Sequence, residues 1–184
     1  MEQIDEKTFA QLARLAGFGR TGFCSAAAFT AERKAVERGP EIAERRQLRF
    51  DPTADDPRTK SIAVMLWPYV PAAQEEDGCV FVDGYYFASN AAYHAARALE
   101  AQLTEAGHFA KANVSYPARE AALRAGMGVI GQNGMLITPE YGSRFVIILM
   151  ATDIVHTAPD CGEHGGCLHC GRLAIAWPAG GIGA

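Results

Sequence analysis

The chain has 184 residues, a formal net charge of −4, 49% hydrophobic residues and 21% charged residues. This length supports one domain with its own core, and the acidic balance argues against a dedicated nucleic-acid-binding protein. The longest strongly apolar run, 145–151, is too short to span a bilayer, and the polar start MEQIDEKTF is unlike a signal peptide, so we expect a cytoplasmic protein without membrane contact.

The N-terminal third predicts two helices around a strand. Apolar residues recur at helical spacing over 5–16, and Gly17 is a natural end for that helix. The segment TGFCSAA, 21–27, predicts a short strand. A helix follows over 30–39, with a threonine at its start as the cap.

The middle of the chain alternates loops with regular elements. The charged stretch 40–60 predicts an exposed loop, and the continuous apolar run SIAVMLW, 61–67, predicts a buried strand. Residues 71–84 predict a second loop. A long amphipathic helix follows over 89–106 and ends before a glycine.

Toward the C-terminus, Pro117 suits the first turn of a helix that reaches Arg124. Residues 134–138 and 144–151 predict two strands joined by the turn PEYGS. The mixture indicates an α/β or α+β domain over 1–155, followed by a cysteine-rich tail over 156–184.

A run of glycines, AGMGVIGQNGMLI, lies between the last predicted helix and the last predicted strands, at 125–137. It contains a formal G-x-G-x-x-G, but a dinucleotide-binding fold needs a strand before that motif and a helix after it. The sequence predicts the reverse order. Two interpretations stay open: a helix end with a tight turn, or a loop whose backbone closely approaches a flat or phosphorylated ligand.

The tail carries three of the five cysteines, a spacing that favours metal binding over disulfides in a reducing compartment. CLHCGRLAIAWP starts like the ferredoxin run C-x2-C-x2-C-x3-C-P, but Leu173 and Trp177 occupy its third and fourth ligand positions. A second pattern, C-x2-H-x2-C-x2-C, suits tetrahedral zinc and consists of Cys161, His164, Cys167 and Cys170. Zinc, an iron–sulfur cluster with a non-standard ligand set, and a metal-free loop all stay open.

The block PAREAALRAGMGVIGQNGMLITPEYGSRFVIILMATDI, 117–154, resembles the core motif of the epoxyqueuosine reductase family, A-G-L-G-W-I-G-K-N-x-L-L-I followed by P-x-Y-G-S. The pieces 56–69 and 90–103 also fit the family layout, and the resemblance covers about 10–182. Reductive dehalogenases are distant relatives with the same core. The resemblance implies a nitroreductase-like sheet flanked by helices, with a short ferredoxin-like tail.

The resemblance also implies a cofactor site. Family members bind cobalamin and iron–sulfur clusters and reduce an epoxide in a modified tRNA nucleoside. Carried over by position, the residues that would line the cofactor are Gly128, Gly131, Asn133, Gly134, Tyr141, Gly142 and Ser143. Arg58 is a candidate for binding an anion such as a cofactor phosphate, with a loop salt bridge as the alternative.

Three departures bear on activity. The family aspartate of V-D-T-G-P has no counterpart in VSYP, 114–117, where Tyr116 is the candidate proton donor or, alternatively, a packed aromatic residue. Gln132 replaces the family lysine of G-K-N. The sequence also shows no second cluster motif and no basic surface, so direct tRNA binding is not expected.

These observations predict a redox protein that reduces a small substrate through a bound planar cofactor, cobalamin or a flavin. The alternative is a carrier or sensor that binds a corrinoid or a metal without catalysis. An electron-donor protein and a second copy of the chain are the expected protein partners.

Overall fold

A computed structural model describes residues 4–30, 47–70, 78, 82–161 and 175. The helix predicted over 30–39 lies almost wholly outside this part of the chain. So do most of the loop predicted over 71–84 and nearly all of the tail beyond residue 161.

The described residues form four helices and six strands. The helices are α1 (Glu6–Leu15), α2 (Pro52–Asp55), α3 (Gly84–Glu105) and α4 (Ala118–Arg124). The strands are β1 (Arg20–Ser25), β2 (Ser61–Pro68), β3 (Ala110–Ala112), β4 (Val129–Ile130), β5 (Leu136–Ile137) and β6 (Phe145–Thr152).

Four strands form the main sheet in the order β1-β2-β6-β3, and every neighbouring pair is antiparallel. β4 and β5 form a separate two-stranded sheet. Because the described strands pair antiparallel, the domain belongs to the α+β class, and the α/β alternative is not observed. The predicted strand at 61–67 is confirmed as β2, at the centre of the main sheet.

Both faces of the main sheet are covered, which explains the continuous apolar run of β2. Ala63 and Met65 face a core formed with α1 and α3. Ile62, Val64 and Leu66 face a second core formed with α4 and the glycine run. A strand buried on both faces has no position for a polar side chain along its middle.

The caps explain where the helices begin and end. The Asp5 carboxylate accepts a hydrogen bond from the backbone N–H of Thr8 at 2.7 Å, and α1 ends before Gly17, whose φ of 107° favours glycine. Asp83 caps α3 in the same way. Since this aspartate sets the start, α3 begins at Gly84, five residues before the position predicted from the sequence.

One sequence prediction needs correction. The stretch 40–60 is not wholly a loop, because Asp51 caps the short helix α2 and a proline at its start has the backbone angle that a helix needs. The two strands predicted on either side of the turn PEYGS are confirmed as β5 and β6, and they belong to different sheets. β5 pairs with β4, whereas β6 enters the main sheet between β2 and β3.

In the described part of the chain, we find no helix with the length and apolarity that a membrane crossing requires.

Candidate cofactor site

The glycine run connects the end of α4 to the small sheet. Gly126 has a φ of 63° and follows the last turn of α4, so the predicted helix end is confirmed. Gly128 lies so close to the backbone of Ile137 that a Cβ atom would overlap the carbonyl oxygen. A helix precedes the run and strands follow it, the reverse of a dinucleotide-binding motif.

The loop between β4 and β5 is a compact turn that projects Gln132 and Asn133 into solvent. The backbone N–H of Gly134 donates to the carbonyl of Gly131 at 2.9 Å, and the Asn133 side-chain oxygen accepts from the N–H of Met135 at 3.1 Å. The guanidinium of Arg119 donates to the carbonyl of Gly134 at 2.6 Å. The first turn of α4 therefore holds the tip of the glycine run in place.

The turn at residues 138–142 lies beside the start of β1. Thr138 and Gly142 exchange two backbone hydrogen bonds, of 2.8 and 3.0 Å. The Tyr141 hydroxyl donates to the carbonyl of Gly19 at 3.2 Å. Gly142 is exposed at a φ of 58° with no atom within 4 Å of a Cβ position, and Ser143 is half-buried after it. The structure thus places Gly142 and Ser143 at the rim of this turn.

Arg20 joins the glycine run to the turn at residues 138–142, a role that was not predicted from the sequence. Its guanidinium donates to the carbonyls of Gly126 and Met127 at 3.3 and 3.2 Å. The same group forms an ion pair with Glu140 at 3.1 Å. A single arginine at the first position of an edge strand belongs to no recognisable sequence motif. Its three partners are therefore visible only in the folded structure.

The beginning of the cysteine-rich tail is anchored against the glycine run. The Asp160 carboxylate accepts from the Ser25 backbone N–H at 2.7 Å and from the Ser25 hydroxyl at 2.6 Å. The Cys161 N–H donates to the carbonyl of Arg124 at 2.7 Å. The Cys161 sulfur consequently faces Gly126, where a Cβ atom would lie 2.8 Å from it. Glycine at this position leaves the space that the thiol occupies.

Cys161 is the one predicted metal ligand within the described residues; His164, Cys167 and Cys170 lie outside them. Among the described residues no three histidine, cysteine or acidic side chains come together as a metal site. The choice among zinc, a cluster and no metal therefore stays a prediction. Cys24 is buried in β1, and burial, with a smaller effect of Asp160, raises the pKa of its thiol to about 12.

Tyr116 lies in the core immediately before α4. Its ring stacks on Phe29, with centroids 5.8 Å apart, and its side chain is 6% exposed. Burial first, and then the neighbouring Asp55 carboxyl group, raise the pKa of the Tyr116 phenol above its usual range. The phenol therefore keeps its proton at neutral pH. A packed aromatic role agrees with this geometry, while proton donation stays a prediction.

Arg58 lies far from the turn at residues 138–142. Arg58 lies just before the start of β2. The turn lies near the other end of β2, because Tyr141 donates to the carbonyl of Gly19 and the N–H of Gly19 donates to the carbonyl of Leu66. The guanidinium of Arg58 forms two hydrogen bonds with Asp56, at 3.0 and 2.8 Å, and lies over the ring of Phe109. The structure therefore shows the loop salt bridge that was the alternative interpretation of this residue.

The sequence matches no protein-family model and no curated protein. Solved structures do resemble this fold. Epoxyqueuosine reductase from Streptococcus thermophilus superposes with a TM-score of 0.71 at 23% identity, over 96% of this chain and 53% of that protein. The Bacillus subtilis enzyme, in a form whose aspartate-bearing catalytic loop is swung out of the active site, gives 0.73 at 22% identity, over 95% and 52%.

The chain has the epoxyqueuosine reductase fold. A reductive dehalogenase, whose structure suggests a mechanism for B12-dependent dehalogenation, shares this fold more distantly, with a TM-score of 0.59 at 16% identity over 90% of this chain and 22% of that protein. The resemblance expected from the glycine run is thereby confirmed. The chain spans about half the length of the epoxyqueuosine reductases that it matches.

Proposed function

We propose that the chain is a redox protein that binds a planar cofactor, cobalamin or a flavin, over the glycine run and the turn at residues 138–142. The observation that carries the proposal is the anchoring of Cys161 against Gly126 within the epoxyqueuosine reductase fold. That contact brings the first cysteine of the cysteine-rich tail next to the loop proposed to hold the cofactor. Such proximity is what electron transfer from a metal centre to a cofactor needs.

The described residues fit a planar ligand in two respects. Gly142 presents open space, so the backbone of the turn is accessible to a flat ring. The loop tip presents Gln132 and Asn133 as exposed polar side chains that can hydrogen-bond to a ligand. A corrin or flavin would supply the electron-transfer chemistry, while these residues would bind and orient it. An electron-donor protein completes this proposal, because the cofactor must be reduced again after each turnover.

The first experiment is an absorption spectrum of the protein purified without air, with metal and sulfide analysis of the same sample. Iron and sulfide with a broad visible band support a cluster, and one zinc per chain supports a mononuclear site. In either case Cys161→Ser should lower the metal content. Cys24→Ala is the matched control, because this cysteine is buried in β1 and should leave the metal content unchanged.

Binding of cobalamin and of flavin mononucleotide to the same sample tests the cofactor directly. Failure to bind either compound, together with the absence of iron and zinc, would contradict the proposal. A Gly142→Trp variant should block binding by filling the open face of the turn, whereas Leu15→Trp, at an exposed position on α1, should not.

A second candidate function is a corrinoid or metal carrier without catalysis. The packing of Tyr116 on Phe29 favours it, since the one candidate proton donor near the family's aspartate position is held in the core. Turnover with a chemical reductant and a small electrophilic substrate separates the two functions. Binding of the cofactor without turnover would support the carrier.

A further inference from the structure

The first half of α3 lacks the charged residues that a helix on a protein surface normally carries. The segment GYYFASNAAYHAA, 84–96, contains no aspartate, glutamate, lysine or arginine, although a helix side that faces only water is usually charged or polar. Ala88, Ala92 and Ala96 pack into the core between α3 and the main sheet. The opposite side of the helix, the outer side of α3, therefore points away from the sheet and begins with an uncharged surface.

Three aromatic side chains project from this outer side. Tyr86 and Phe87 are 60% and 61% exposed, and their rings meet edge to face with centroids 5.7 Å apart. Tyr93, two helical turns further along, is 49% exposed. Protein–protein interfaces are enriched in tyrosine and phenylalanine and depleted of lysine, glutamate and aspartate at their centres, and this composition is that of the outer side of α3.

The second half of the outer side carries small residues instead. Ala98 and Ala101 are both exposed, and the charges beside them, Arg97 and Glu100, pair with each other at 2.7 Å. The helix therefore presents large side chains along its first half and small ones along its second half. Two such helices are complementary to each other when they run antiparallel, because the large side chains of one then lie against the small residues of the other.

We propose that the chain forms a two-fold symmetric dimer through the outer side of α3, with the symmetry axis near His94. With the axis there, Tyr86 of one copy faces Ala101 of the second copy. Asn90 likewise faces Arg97 of the second copy, where the side-chain amide oxygen can accept from the guanidinium. An interface of this kind uses the same surface on both subunits, as in most homodimers.

The available area matches a dimer of moderate affinity. The 22 residues of α3 give a helix about 33 Å long. At about 200 Å² for each aromatic side chain, the three half-exposed rings contribute roughly 300 Å² per copy. A stable interface buries about 800 Å² per partner, so the other exposed residues along the outer side must supply the remaining area. Because α3 and the glycine run cover opposite faces of the main sheet, this inference does not rest on the proposed redox function.

Sedimentation equilibrium of the full chain, at concentrations from about 1 to about 200 μM, tests the association. We expect a monomer–dimer equilibrium with a Kd on the order of 10 μM. A chain that stays monomeric at about 200 μM would overturn the proposal and would indicate that another part of the same chain, or a different protein, covers α3. Species larger than a dimer would also contradict it, because a two-fold interface closes after two copies.

Two pairs of variants, each checked for folding by circular dichroism, make the test specific. Ala98→Glu should weaken dimerisation about a hundredfold, because it places an unpaired carboxylate against the apolar rings of the second copy. Ala54→Glu is the matched control, an exposed alanine on α2, which follows Phe50 of the other core, and it should leave the Kd unchanged. An unchanged Kd in Ala98→Glu would refute α3 as the interface.

The second pair of variants tests the antiparallel arrangement. Asn90→Asp should tighten the dimer about threefold and Asn90→Lys should weaken it, since Arg97 of the second copy faces this position. Arg97 of the same helix lies about 10 Å further along the axis and cannot account for the difference. Equal Kd values for Asn90→Asp and Asn90→Lys would refute the proposed position of the symmetry axis.

Discussion

Replacing Arg124 by methionine should strongly destabilise the domain. Its guanidinium donates to the carbonyls of Ala27 and Ala28 at 2.8 and 2.9 Å, pairs with Glu120, and lies 4.4 Å from the ring centroid of Phe29. Both side chains of the ion pair are largely buried, at 15% and 12% exposure. Breaking such a pair from one side leaves a poorly solvated charge, and we expect a loss of about 3–5 kcal/mol in the free energy of unfolding.

Urea unfolding of the Arg124→Met variant measures this loss, and thermal melting should show a midpoint lowered by about 10 °C. Arg97→Met is the matched control, because that arginine forms an ion pair on the exposed face of α3 and should cost less than about 1 kcal/mol. The double variant with Glu120→Met should recover a large part of the loss. An Arg124→Met effect below about 1 kcal/mol, or no recovery in the double variant, would refute the reasoning.

Three further predictions concern single positions. Gly128→Ala should destabilise the protein by about 3 kcal/mol in urea, because the new methyl group overlaps backbone, whereas Gly142→Ala in open space should cost about 1 kcal/mol; equal effects would contradict the packing. In the metal-free native protein Cys161 should react with iodoacetamide at pH 8 while Cys24 stays unmodified, as peptide mass spectrometry can show; rapid Cys24 labelling would refute its burial and its raised pKa. Hydrogen bonds from Arg58 lower the pKa of Asp56 to about 2. The ionised Asp56 therefore stabilises the fold above about pH 4, and this stabilisation is lost as the pH falls toward about 2. An NMR titration of the Asp56 carboxyl group with an ordinary midpoint would contradict this.

The central strands could be predicted from the sequence because apolar runs bounded by polar residues have few other interpretations. Strand β3 was not predicted, since the alternation of AKA extends over only three residues and includes no β-branched side chain. The different destinations of β5 and β6 could not be read from the turn between them, because a turn sequence fixes a local bend and not the partner of each strand. Long-range pairing decided the sheet order.

The candidate site likewise contains features that could be predicted from local sequence and features that depend on long-range contacts. The glycine run was recognisable because close backbone approach demands glycine, and Gly128 has that role against Ile137. The contribution of Arg20 was not recognisable, because its three partners lie more than a hundred residues away in sequence.

The two covered faces of the main sheet have a consequence for how the strands find their alignment. In a sheet with one face in solvent, a shift of a strand by one residue exposes its apolar side chains. Both sides of β2 are apolar and covered, so the same shift costs little free energy of burial. Ser61 and Thr152 provide the difference between the native register and a shifted one. Their hydroxyls lie 2.9 Å apart in the buried interior, and Ser61 also donates to the carbonyl of Ile154 at 2.8 Å. This polar pair at the end of two apolar strands thus distinguishes the native register from registers shifted by one residue. Any such shift would leave both hydroxyls buried without hydrogen-bond partners.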